Sequence, residues 1–203
     1  GDDVKIIIIL REPVSRAISA YEHVFRNNIR EDLDFKSALL NEEKRLKEDS
    51  KITPMVMYQD MSLYSDAVEA YQNAFVNVHI TLYDDLVRNS KKCVDDIFKF
   101  LLLDEYDGID YSKEYNSGGW NWKSKWIRDW FLLDGWFKKS IRIVIPNNIR
   151  KKMFKVLRYN SIKKQKSLID MRLKSQLLES FKEDRLKLEK LINRNLDYWD
   201  EVA

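Results

Sequence analysis

Val4-Lys5-Ile6-Ile7-Ile8-Ile9-Leu10-Arg11-Glu12-Pro13-Val14-Ser15-Arg16-Ala17-Ile18-Ser19-Ala20-Tyr21-Glu22-His23 is the stretch on which the fold turns. Residues 6–10 are five consecutive aliphatics, four of them β-branched. Such a run reads as a strand buried on both faces, as in a parallel sheet. Pro13 ends the strand and suits the first turn of a helix, where its missing N–H has no partner to lose. Val14, Ile18, Tyr21 and Phe25 follow at spacings of four, three and four, one face of a helix. The stretch is therefore a strand, a two-residue turn and a helix. Arg11 falls at the carboxyl end of the strand, where open α/β sheets bind ligands. Ser19 falls two turns into the helix. A guanidinium fork and a hydroxyl that meet at one point make a phosphate site. The plainer alternative is an Arg that only pairs with a nearby carboxylate.

Working outward, 203 residues suffice for one good core. Hydrophobic residues are 44% and charged residues 34%, which excludes a disordered chain. No apolar run approaches the length of a membrane span. A single Cys excludes an internal disulfide and fits a reducing compartment, so the expected location is cytoplasmic. Two His and one Cys leave no zinc constellation.

After the first helix, Asp34 can cap a helix carrying Phe35, Ala38, Leu39 and Leu46, and residues 47–53 read as a loop. Tyr64, Val68, Tyr71 and Phe75 give another amphipathic helix. Val76, Val78, Ile80 and Leu82 alternate in a second strand ended by Asp84-Asp85-Leu86. A helix from about Lys91 to Leu101 turns Val94, Ile97, Phe98 and Leu101 inward. Residues 104–120 read as loop, with Ser117-Gly118-Gly119 able to bring backbone N–H groups close to an anion. Five Trp follow between 120 and 136, and Trp126, Trp130 and Phe137 lie at helical spacing, so most read as core. Residues 138–166 hold eleven Lys and Arg and no carboxylate, in a chain whose net charge is only +3. They read as one or two basic amphipathic helices broken at Pro146. A last helix runs from about Met171 to Arg194.

Several of these stretches resemble sulfotransferases that use 3′-phosphoadenosine-5′-phosphosulfate (PAPS), of the carbohydrate and bacterial type. The family's 3′-phosphate segment is similar to Arg11, Pro13, Val14, Arg16, Ala17, Ser19 and Tyr21, with Glu12 where Asn is usual. Tyr83-Asp84-Asp85-Leu86 resembles the family's Tyr-Glu-Asp-Leu strand end. Phe100-Leu101-Leu102-Leu103 resembles its Phe-Leu-Gly-Leu helix end, with Leu102 where Gly would supply a left-handed cap. The close Leu196-Asp197-Tyr198-Trp199 is similar to the family's Leu-x-x-Trp. The likeness runs from Val4 to Trp199 and implies one α/β domain over 1–203, with the P-loop-NTPase-like sulfotransferase fold, a parallel sheet, flanking helices and a helix-rich C-terminal half. It implies PAPS, or its product 3′-phosphoadenosine-5′-phosphate (PAP), as the nucleotide. Arg11 and Ser19 would take the 3′-phosphate, Tyr83 the adenosine, and Ser117, Gly118 and Gly119 a loop over the nucleotide.

The family's 5′-phosphosulfate loop and its upstream catalytic base have no counterpart among these residues. The expectation is a partial sulfotransferase domain, inactive alone, with no catalytic residue assigned. A sheet edge left unfilled would invite a homodimer. The expected acceptor is a small molecule or glycan, with no nucleic acid. A second reading is a non-catalytic anion-binding domain that uses residues 138–166 for a polyanion or membrane surface.

Overall fold

In the computed structural model, Lys5–Leu10 form β1, which pairs in parallel with β2, Asn77–Leu82. Lys5 stands opposite Asn77 and Leu10 opposite Leu82, so paired residues share a face. Described here are residues 3–27, 31–48, 54–112, 120–132, 162–164 and 169–200, with 146, 149, 152, 155–157 and 160. The chain divides into two compact units, one of residues 1–17, 59–117 and 170–203, the other of 18–58 and 118–169.

α1 starts in the first unit at Pro13 and runs to Asn27, its residues from Ile18 on being counted with the second unit. Its start is capped by Glu12, whose carboxylate accepts from the N–H of Val14 at 2.7 Å and of Ser15 at 2.6 Å. Those are two of the donors that a helix start leaves unpaired. One face of the strand pair packs into the core. Leu10 and Leu82 bury with Val68 of α4 (Ser65–Ala74), with Leu188, and with Leu196 and Trp199 beyond it. Leu188 lies on the terminal helix, Met171–Ile192, numbered α8 below.

The expectation of burial on both faces of β1 does not hold. Ile7 is 37% and Ile9 51% exposed. The reason is local. Cover on that face comes from α6 (Ser90–Leu101), whose Phe100 ring lies against His79 at 5.2 Å and under the Lys5 ammonium at 5.8 Å. Among the described residues β1 pairs only with β2.

Between β2 and α6 lies a helix that the sequence reading missed, α5, Tyr83–Arg88. The end of α6 is a left-handed cap at Leu102, φ 61°, without the glycine the family uses.

In the second unit, the helix expected after Asp34 is two. Asp34 caps α2, Phe35–Leu40, and the chain turns at Asn41 into α3, Glu42–Glu48. The Asn41 side chain donates to the Ser37 carbonyl at 2.7 Å, and the buried Glu42 carboxylate accepts the Tyr58 N–H at 2.6 Å. These bonds re-aim the chain, so α3 turns Arg45 inward and leaves Leu46 exposed. Lys47 and Glu48 belong to α3 and not to a loop. Arg45 donates to both oxygens of fully buried Glu31, at 2.9 and 3.0 Å, and the Tyr58 hydroxyl donates to the same carboxylate at 2.7 Å.

β3, Trp120–Trp122, pairs antiparallel with β4, Ile162–Lys164. Ile162–Lys164 is therefore strand, where a basic helix was expected. Most of the rest of 138–166 lies outside the described residues, as do Trp136 and Phe137. Of the Trp cluster, Trp122 is buried and donates its indole N–H to the Arg26 carbonyl at 2.9 Å. Trp126, on α7 (Lys125–Leu132), is 75% exposed and corrects the reading of that residue as core. The inward place is taken by Arg128, whose guanidinium lies 4.5 Å from the Phe25 ring centroid and donates to the Phe25 and Glu31 carbonyls.

Candidate active site at the end of the strand pair

The register places the site. Because Leu10 pairs with Leu82, the next residues, Arg11 and Tyr83, emerge side by side at the carboxyl ends of the two strands. The Arg11 guanidinium lies over the Tyr83 ring, 4.8 Å from its centroid. Cation–π stacking holds a guanidinium flat and leaves its N–H edge free to meet an anion. Among the described residues no carboxylate forms an ion pair with Arg11. The Arg11 carbonyl accepts the Tyr64 hydroxyl at 2.9 Å. Burial pushes the Tyr64 phenol well above the ordinary tyrosine range, so it stays a donor.

The acidic pair after Tyr83 is structural. Asp84 accepts the Trp199 indole N–H at 3.1 Å. Asp85 takes both Arg194 nitrogens, Nη2 at 2.8 Å to one oxygen and Nη1 to the other. Hydrogen bonds from Arg194 hold the Asp85 carboxyl below its usual range. The Tyr-Asp-Asp-Leu stretch is thus tied to the C-terminal segment by its carboxylates, while Tyr83 remains partly exposed beside Arg11.

Of the other residues singled out in the sequence, Ser19 is half-buried on α1 within the second unit. Ser117, Gly118 and Gly119 lie outside the described residues. The sequence reading missed two contributors. The spacing of Tyr64 marks only a helix face, since a Tyr at helical spacing gives no sign of where its hydroxyl goes. Asp184, which accepts the Tyr64 and Ser65 N–H groups at 2.8 and 2.9 Å, comes from more than a hundred residues downstream.

A cavity of about 440 Å³ along β2, α5 and α6 is a separate feature. Of its cations Arg88, Lys92 and Arg194, the last two are paired with Asp96 and Asp85, and neither Arg11 nor Tyr83 lines it. Among the described residues no group of His, Cys, Asp and Glu is placed to hold a metal, and no helix is long and apolar enough to cross a membrane.

A parallel strand pair flanked by helices, with an Arg–aromatic corner at the strand ends, makes this an α/β protein. Residues 1–112 match the family described as Sulfotransferase domain, and the chain belongs to that family. The chain is also similar to the crystal structure of a sulfotransferase from Alicyclobacillus acidocaldarius. The TM-score is 0.63 and the identity 25%, over 97% of this chain and 57% of that one. This chain therefore spans little more than half the length of that relative. Among curated proteins no match is found.

Proposed function

We propose that this chain carries the 3′-phosphate and adenosine side of a sulfotransferase that moves a sulfuryl group from PAPS to a hydroxyl or amine, on a small molecule or glycan. The observation that carries the reading is the Arg11 guanidinium, stacked on Tyr83 at the strand ends and without a carboxylate partner among the described residues. Arg11 and Ser19 take the 3′-phosphate, and the exposed part of Tyr83 meets the adenosine. Ser117, Gly118 and Gly119 contribute a loop over the nucleotide. Binding at this remote end positions the reacting sulfur without touching it. The bound nucleotide supplies the transferable group. The residues identified here supply its grip and orientation.

The location proposed is the cytoplasm. The exposed Ile7 and Ile9, and an edge of β1 that no strand pairs among the described residues, also support pairing with a second copy.

Calorimetric titration with PAP tests the reading. Saturable binding, weakened ten- to a hundredfold by Arg11→Ala, is expected, since a charge-assisted bond is worth roughly 1.5–3 kcal/mol. Binding of any polyanion with a steep salt dependence, indifferent to Arg11→Ala, would instead favour a non-catalytic anion-binding domain built on residues 138–166.

A further inference from the structure

Tyr64 joins three parts of the first unit. Its N–H donates to one Asp184 oxygen at 2.8 Å, and the next residue, Ser65, donates its N–H and hydroxyl to the other oxygen at 2.9 and 2.6 Å. Asp184 lies on α8, so the start of α4 is capped by a distant carboxylate and not by its own N-cap residue. From this anchored backbone the Tyr64 ring packs against the core formed around Leu10 and Leu82, and its hydroxyl reaches the Arg11 carbonyl at 2.9 Å. That carbonyl lies past the end of β1 and outside the helix. The first helical bond of α1 runs from the Arg16 N–H to the Glu12 carbonyl, one residue further on. The peptide at Arg11 thus has neither ladder nor helix to set its orientation at this point, and Tyr64 does so. The guanidinium at the other end of the residue is set by the Tyr83 ring.

Resting on the reading of Arg11 as the 3′-phosphate ligand, we propose that Tyr64 is a positioning residue for that ligand: its hydroxyl fixes the Arg11 peptide so that the guanidinium meets the phosphate without first being ordered. Tyr64 touches no substrate in this account and acts only through Arg11. Holding a group in its bound geometry beforehand reduces the ordering cost of binding. The effect must therefore be confined to ligands that carry a 3′-phosphate.

The test is titration of the 203-residue chain with PAP and with adenosine 5′-phosphate, which lacks the 3′-phosphate. The proteins are wild type, Tyr64→Phe, Arg11→Ala and the double variant. Phe keeps the buried ring and removes only the hydroxyl. Tyr64→Phe is expected to lower PAP affinity by about three- to tenfold and leave adenosine 5′-phosphate affinity unchanged, one unsupported hydrogen bond being worth about 0.5–1.5 kcal/mol. In the Arg11→Ala background the same change is expected to add nothing to the loss. Equal loss for both nucleotides, or PAP affinity unchanged by Tyr64→Phe while Arg11→Ala weakens it, would overturn the positioning role. A wild-type chain that does not distinguish the two nucleotides would remove the 3′-phosphate reading itself, and the inference with it. If Tyr64→Phe does not fold, Asp184→Asn loosens the same anchor from α8 and is expected to lower the ratio of the two affinities. An unchanged ratio there would overturn the proposal.

Discussion

Glu12 stands where the family's segment has Asn, and its bonds explain why the exchange is tolerated. Both residue types can accept from the N–H groups that open a helix, and Glu12 does so with both oxygens. Glu12→Ala is expected to lower stability by about 1 kcal/mol, with Glu12→Asn recovering most of it, as read by urea unfolding. Leu102 stands where the family has Gly and takes the left-handed conformation regardless, at φ 61°. A side chain in that region is strained by roughly 1–2 kcal/mol. Leu102 is 84% exposed, so its side chain packs on little. Leu102→Gly is expected to stabilise the chain by about 1 kcal/mol, seen as a higher unfolding midpoint. A midpoint that falls would mean that unfolded-state freedom outweighs the relieved strain.

At the scale of elements, β1 and α1 were legible because each signal agreed: an aliphatic run, Pro13 at the first helical position, and an apolar face at helical spacing. The strand pair was legible for the same reason. α5 was not, because Tyr83–Arg88 follows β2 with no intervening residue and its two Asp read as the end of a strand. The break between α2 and α3 was hidden because it depends on Glu42 reaching Tyr58, a tertiary bond. Arg11 and Tyr83 were each legible as candidates, but their stacking follows from the Leu10–Leu82 register, which no local pattern states. The ties of Asp84 to Trp199 and Asp85 to Arg194 were likewise long-range. The second tie has a pH signature. Asp85 titrates below its ordinary 3.8 in the folded chain. Its contribution is therefore complete above that value and is lost as pH falls through the depressed one. Wild type is expected to exceed Asp85→Asn in stability near neutrality, with the gap closing in acid. A gap independent of pH in unfolding curves would contradict the pairing as its source.

At the scale of the molecule, the aliphatic face at Ile7 and Ile9 and the edge of β1, unpaired among the described residues, lead to a prediction of self-association. Sedimentation velocity of the 203-residue chain is expected to show a dimer that Ile9→Lys weakens, and a monomer at all concentrations would contradict it. The same chain, tested alone in a radiolabelled sulfate-transfer assay over sugar, phenol and amine acceptors, is expected to show no useful turnover. The residues identified serve the 3′ end of the nucleotide, whereas group transfer needs positioning and charge stabilisation at the reacting oxygens. Robust turnover abolished by a substitution within these residues would relocate the catalytic machinery into them. The central claim, that the corner after β1 grips a 3′-phosphate, is tested most directly by a crystal structure of the chain with PAP. The account predicts the 3′-phosphate against the Arg11 guanidinium and the Ser19 hydroxyl, with the adenosine beside Tyr83. A phosphate held elsewhere, with Arg11 still lying on Tyr83 and touching no ligand, would contradict it.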